Sequence, residues 1–313
     1  MTFKVVSLDH IGVAVRDMEA SAKFWTDLIP GITIDSRNRL ENVRAENIML
    51  GLGNASMELL APLPGDTALT GFLEKRGEGF YFLTLYCDDV LKGCEELEAN
   101  GIRIIESWGP RNESLHVFTH PRDSKGIYLQ LIDWEKGKIQ GGMTTRKPMP
   151  ARPAKSDPAN GYHLVALDHV VHGVKDLDES IKWWEERFRT PRLFSEPTMA
   201  EVNVGDMYMS AGNAWIEVMS PLAGEEQMRG WLEKKGEGIY FIAFEVENLA
   251  MGIDRIKEMG VRTVEHWGDP KEAGIVFLHP KSCNGVYTCL VDSTKARELR
   301  MGEGVVQGAL VRP

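Results

Sequence analysis

The sequence predicts an α+β protein of four βαβββ modules that form two curved mixed sheets. Two observations carry this expectation. First, one spacing of 159 residues links His10 to His169, Glu58 to Glu217, Trp108 to Trp267, His120 to His279 and Tyr128 to Tyr287. A spacing that holds from the first strand to the last marks a tandem repeat with no net insertion. Second, each half opens a strand–turn–helix cycle twice. The length of 313 residues agrees, since it sets a prior of roughly two domains at about 150 residues each.

The first half reads in order as follows. Residues 4–15 alternate as a strand, and Asp17 stands where a helix N-cap belongs, with Glu19 in the first turn. Met18, Ala22, Trp25 and Ile29 then recur at helical spacing, which lays one apolar stripe on a sheet. Strands are expected near 45–52 and 55–61, and a short helix from Thr70 to Arg76 ends in Gly77-Glu78-Gly79. A second cycle opens with the strand Phe80 to Cys87 and a helix capped by Asp89, ended by Asn100-Gly101. Strands near 102–107, 114–119 and 127–132 complete it. The second half repeats the device from Leu167-Asp168-His169-Val170, with Asp176, Leu177, Ile181, Trp184 and Phe188 on its first helix. The expected domains are 1–134 and 163–293, joined by a Pro-rich linker 135–162 and followed by a tail 294–313.

Composition narrows the partners. A hydrophobic content of 43% and a charged content of 26% allow a core without covalent staples. The net charge of −10 argues against nucleic acid or an anionic membrane as partner. No apolar run approaches the ~20 residues that span a bilayer. Cys87, Cys94, Cys283 and Cys289 form no Cys-x-x-Cys pair, which suits a reducing, cytoplasmic setting. The expected partner is a small-molecule substrate, with a homodimer left open.

The motifs Leu8-Asp9-His10-Ile11-Gly12-Val13-Ala14-Val15, Met57-Glu58-Leu59-Leu60-Ala61-Pro62 and Phe72-Leu73-Glu74-Lys75-Arg76-Gly77-Glu78-Gly79 resemble the vicinal oxygen chelate superfamily. So do Trp231-Leu232-Glu233-Lys234-Lys235-Gly236-Glu237-Gly238 and Phe277-Leu278-His279-Pro280-Lys281. The superfamily includes glyoxalases, extradiol dioxygenases, bleomycin-resistance proteins and methylmalonyl-CoA epimerases, and the look is closest to the epimerase branch. The resemblance implies cup-like sheets in tandem domains, with one metal ligand on each of four strands. His10, Glu58 and Gln130 match three of these positions in the first half, and His169, Glu217 and Cys289 in the second. The third position, a histidine in the family, is Phe82 and Phe241. Phenylalanine has no lone pair for a cation. A divalent ion is therefore expected only in weakened form: Mn, Mg or Co on the oxygen-rich first set, Zn on the softer second set, or Fe if the chemistry is redox.

Glu58 and Glu217 sit mid-strand among apolar neighbours, where a carboxylate must be paired, coordinated or protonated. The structural reading is a His10–Glu58 hydrogen bond that satisfies both groups. The functional reading makes Glu58, Glu217, His10 and His169 the catalytic residues, acting as base and oxyanion partner. Tyr128, Tyr287 and Trp215 share strand faces with these groups, so they and the two Phe residues are expected to wall a pocket. Tyr81 is expected to face away from Phe82, and His172 to lie at the surface. A second carboxylate of the epimerase type falls near Asn42 and Glu41 in the first half and at Glu201 in the second, which makes a coenzyme A thioester a poor fit. The leading function is an isomerase, epimerase or lyase working through the enolate of a carbonyl compound. The alternative is a resistance-type binding protein without catalysis. An extradiol dioxygenase follows behind, since it needs a second His on iron.

Overall fold

The computed structural model describes residues 3–41, 43–65, 67–107, 116–133, 161–196, 199, 202–264 and 268–301. Asn42, Trp108, Glu201, Trp267 and most of the expected linker lie outside the described residues.

The first half runs β1 (Val5–Ala14), α1 (Met18–Leu28), β2 (Thr33–Leu40), β3 (Ala45–Gly51), β4 (Ser56–Pro62) and α2 (Ala68–Arg76). It continues with β5 (Gly79–Cys87), α3 (Val90–Ala99), β6 (Ile104–Ser107), β7 (His116–Thr119) and β8 (Leu129–Asp133). The second half runs β9 (His163–Gly173), α4 (Leu177–Phe188), β10 (Arg192–Phe194), β11 (Val204–Ala211), β12 (Ala214–Pro221) and α5 (Gln227–Lys235). There follow β13 (Gly238–Glu247), α6 (Leu249–Glu258), β14 (Thr263–Val264), α7 (Pro270–Ala273), β15 (Ile275–Leu278), β16 (Thr288–Asp292) and α8 (Ser293–Met301). Each half is an eight-stranded mixed sheet, ordered β2-β3-β4-β1-β5-β8-β7-β6 and β10-β11-β12-β9-β13-β16-β15-β14. The expected modules are therefore present. Periodicity reveals neither β10, α7 and α8, the last within the expected tail, nor strand β2. It is an edge strand, exposed or half-buried along most of its length, so its sequence carries no apolar period.

Local chemistry explains the entry into each module. Asp17 accepts from the backbone N–H of Ala20 at the start of α1, and Asp176 accepts from Glu179 at the start of α4. Such caps contribute about 0.5–2 kcal/mol each. Behind the caps, Ala22, Trp25 and Leu28 in α1, and Ile181, Trp184 and Phe188 in α4, are buried against the sheets.

A bulge is repeated in both central strand pairs. Gly12 faces Phe82 and Val13 faces Phe80, so Tyr81 is an extra residue in β5. Val171 faces Phe241 and His172 faces Ile239, so Tyr240 is extra in β13. A bulge breaks the alternation of faces. It turns Tyr81 toward Phe82, at 5.8 Å between ring centroids, rather than away from it as simple alternation predicts.

The halves share one core. Phe3 meets Phe188, and Trp25 meets Phe244, each at 6.1 Å. Polar groups lock the seam. Asn54 donates through Nδ2 to the Leu167 carbonyl and accepts from the Leu167 N–H, both at 2.9 Å. Asn213, one repeat later, accepts from the Leu8 N–H at 2.9 Å and donates to the Leu8 carbonyl at 2.8 Å. The turn before each asparagine must come close: Gly53 and Gly212 have positive φ, and a Cβ there would meet the carbonyls of Val165 and Val6 at 2.8 and 2.2 Å. Leu8 and Leu167 each stand two residues before the strand histidine. Each half thus pins the histidine strand of the other.

His172 is part of this seam, not of the surface. Three residues from His169, it has the opposite strand parity and faces helix α4. It donates through Nε2 to the Lys125 carbonyl at 2.9 Å and accepts from Trp184 Nε1 at 3.1 Å. Burial and the nearby Lys125 charge outweigh that backbone bond and hold it down to about 4, so it is neutral.

The seam yields a stability prediction. Asn54→Ala and Asn213→Ala each remove three hydrogen bonds and strand one backbone N–H and two C=O groups. Each is expected to cost about 2–4 kcal/mol in urea unfolding. The two halves should still unfold in one transition; two separate transitions in the wild type would refute a shared core.

Candidate active site

The register explains how each cup is loaded. In the first half Ser56, His10, Thr84 and Gln130 are successive neighbours across β4, β1, β5 and β8. Glu58 lies two residues along β4 from Ser56, on the same face. The second row is Trp215, His169, Ala243 and Cys289, with Glu217 in the matching place.

Each histidine is held between two carboxylates. His10 donates from Nδ1 to Asp9 at 2.6 Å, and its Nε2 lies 3.0 Å from Glu58 Oε2. His169 donates from Nδ1 to Asp168 at 2.6 Å, and its Nε2 lies 3.1 Å from Glu217 Oε2. Burial pushes both imidazoles down, but the bonds and charges of the flanking carboxylates prevail and raise each to about 9. Both rings are therefore imidazolium at neutral pH, donating at both nitrogens.

The remaining partners differ sharply between the halves. In the first cup Asn47 donates to Glu58 Oε1. Thr84 Oγ1 accepts from His10 Nε2 at 3.0 Å and donates to Gln130 Oε1 at 2.7 Å. The Gln130 amide lies 3.4 Å from His116 Nδ1, and burial with the His10 charge holds His116 down to about 4. Apart from the Ser56 hydroxyl, which is buried without a partner, the polar groups of this row are engaged. Phe82, Phe118 and Tyr128 fill the space above, with Phe118 and Tyr128 stacked at 4.6 Å. Gly12 admits the Phe82 ring, which a Cβ there would meet at 2.6 Å.

One repeat later, Asn47, Thr84, Gln130, His116 and Gly12 become Asp206, Ala243, Cys289, Ile275 and Val171. Glu217 Oε1 is left buried with no hydrogen-bond partner. Val171 occupies the place that Gly12 leaves free, and Phe241 stands 6.0 Å from His169, against 5.5 Å for Phe82 and His10. A cavity of about 200 Å³ opens instead, lined among others by His169, Glu217, Trp215, Tyr287, Phe241 and Cys289. It exceeds the roughly 150 Å³ cavity known to admit benzene. Asp206 is lifted to about 7, first by burial and then by the charge of Glu217.

The expected residues thus converge on two cups, except Glu201, which lies outside the described residues. Glu41 is exposed and ion-paired with Arg39. Sequence reading missed Asn47, Thr84, Asp206, Tyr208 and Glu196. Alternation along Asn47-Ile48-Met49 and Asp206-Met207-Tyr208 would have placed three of these residues, Asn47, Asp206 and Tyr208, on the Glu faces. The donor sets fit a metal poorly. The one imidazole of each cup has both nitrogens committed to carboxylates, and among the described residues no three His, Cys, Asp or Glu side chains converge to hold an ion.

The titrations set the direction of a pH effect. The folded values of His169 and His10 lie above the ordinary 6.5, so their contribution is complete below that pH and is lost as pH rises through about 9. Asp206 is also raised, from 3.8 to about 7, so the stability its protonated form confers is complete below 3.8 and is lost as pH rises through about 7. Asp206→Asn removes that part and gives Glu217 a donor. Its thermal midpoint is expected to fall less between pH 6 and 8.5 than the wild type's, by about 2–4 °C for each kcal/mol retained. An identical fall in both would show that Asp206 is not strained by Glu217.

Comparison with known proteins places the chain. The profile of the Glyoxalase/Bleomycin resistance protein/Dioxygenase superfamily matches residues 9–119 and 168–278. Mitochondrial methylmalonyl-CoA epimerase of Mus musculus is 29% identical over 133 residues, 41% of this chain and 74% of that protein. An ethylmalonyl-CoA/methylmalonyl-CoA epimerase of Cereibacter sphaeroides is 31% identical over 131 residues, 40% of this chain and 94% of that protein. A solved mutant of 4-hydroxymandelate synthase from Streptomyces coelicolor shares the fold at a TM-score of 0.63 and 15% identity, covering 92% of this chain and 93% of that one. Among the described residues no helix is long and apolar enough to cross a membrane. With its profile matched once in each half, the chain belongs to the Glyoxalase/Bleomycin resistance protein/Dioxygenase superfamily, as a tandem duplicate.

Proposed function

We propose that the chain is an enzyme that moves a proton α to a carbonyl, and that the second cup is its active site. The observation that carries this reading is Glu217 Oε1, a buried carboxylate oxygen with no protein partner on the wall of a cavity. That oxygen has a lone pair free to take a proton from a bound molecule, whereas the matching oxygen of Glu58 is occupied by an amide. Glu58, its counterpart, is held by Asn47 under a packed aromatic lid. The first cup is thus the structural copy.

The chemistry follows from these groups. The substrate C–H electron pair stays on carbon as an enolate, and the proton passes to Glu217. As Glu217 takes the proton it loses its charge, which releases the Nε2–H of the His169 imidazolium, held at Nδ1 by Asp168, to the enolate oxygen. Return of the proton to the opposite face is epimerisation, return to a conjugated carbon is isomerisation, and loss of a β-substituent makes a lyase. Two relatives named as epimerases support this class. Aromatic walls at Phe241 and Phe277 favour the second reading, a binding protein that performs no proton transfer.

The test is loss of α-hydrogen signal in D₂O, read by NMR over a panel of α-stereogenic ketones and methylmalonyl-CoA. Exchange is expected with at least one compound. Glu217→Gln should reduce it by about 10³-fold or more, within the range for a lost general base, and Glu58→Gln by less than about threefold. Full exchange in Glu217→Gln would sink the assignment, and no exchange with any compound would favour the binding protein.

A further inference from the structure

The two cups differ in the kind of apolar wall they offer. In the first half Leu40, Leu60 and Leu69 are buried, and Leu60 and Leu69 pack with the Phe82 and Phe118 rings. One repeat later all three are methionine: Met199, Met219 and Met228. Each is buried, and each lines the open cavity. Two polar residues of the first wall change in the same sense, Gln130 to Cys289 and His116 to Ile275. Methionine is unbranched and carries a polarisable sulfur, so it fits itself to what lies against it and makes favourable contacts with ring edges. For a closed core it specifies shape less well than leucine does. Three such changes, all in the cup that is open, mark the lining of a binding cavity rather than of a packed interior.

Position tells which part of a ligand this wall would meet. Met219 lies two residues along β12 from Glu217, on the same face and roughly 6–7 Å away along the strand. The three methionines share one apolar cluster with Phe241 and Phe277, whose rings meet edge to face at 5.3 Å. None of these five side chains is charged, and a charge placed among them would be left unpaired. The cavity of about 200 Å³ has room for a six-membered ring.

We propose that the second cup takes an uncharged aryl ketone, its ring among Met199, Met219, Met228, Phe241 and Phe277 and its carbonyl and α-carbon toward His169 and Glu217. The direction of the carbonyl rests on the reading of Glu217 as the base. The ring site does not, so the two readings fail separately.

Calorimetric titration of the full chain with benzylacetone and with its ring-saturated analogue tests this. The saturated ring carries more apolar surface, so area alone favours it slightly. The expected order is the reverse, with benzylacetone bound about fivefold or more tighter through contacts of sulfur with the aromatic ring. The triple variant Met199→Leu, Met219→Leu and Met228→Leu restores the residues of the first half at nearly constant volume, a change that cores tolerate. It should bring the two probes within about twofold of each other. Equal binding by the wild type, tighter binding of the saturated ring, or no binding of either overturns the proposal whatever the variant does. A preference for benzylacetone that survives the three leucines overturns it as well. Benzylacetone binding that persists in Glu217→Gln, together with undiminished α-proton exchange, upholds the ring site and removes the catalytic reading instead.

Discussion

An imidazolium held between two buried carboxylates is the constraint around which each half is built. Ions taken out of water are costly unless paired and hydrogen-bonded. Asp9–His10–Glu58 and Asp168–His169–Glu217 meet that condition only if β1 runs parallel to β4, and β9 to β12, in the observed register. One residue of slip would send each carboxylate to the opposite face of its sheet. The triplet therefore fixes strand pairing as much as it furnishes chemistry. It leaves one negative charge to be satisfied, and here the halves part. The first supplies an amide from Asn47. The second supplies a second carboxylate, an alanine and an open cavity.

The seam makes this asymmetry tolerable. Asn54 and Asn213 cross between halves and grip the backbone two residues before each histidine. A cup stripped of its own hydrogen bonds is held from outside by the other half, whose filled cup supplies rigidity. Duplication thus separates two tasks that a single domain must combine: a packed interior and an open one.

Much of this was legible in the sequence. The spacing of 159 residues announced the repeat. The Asp caps and apolar stripes placed the helices, and a mid-strand glutamate among apolar neighbours announced a buried charge. What escaped has physical causes. Strand β2 lies at an edge and has no apolar face. Tyr81 and Tyr240 fall in bulges, which defeat alternation. His172 looked solitary because both its partners, Lys125 and Trp184, are remote from it in sequence or on another element. The difference between the cups was written in substitutions such as Asn47 to Asp206 and Gly12 to Val171, but their meaning depends on which residues stand side by side, which only the register reveals.

The central claim is that one cup is open and the other is a packed counterpart. Nuclear magnetic resonance of isotope-labelled histidine, followed during titration with benzene, tests it most directly. The account predicts that the His169 ring signals move with saturating dependence on the probe while those of His10 stay in place. Movement of His10 in step with His169, or of His10 alone, would contradict it.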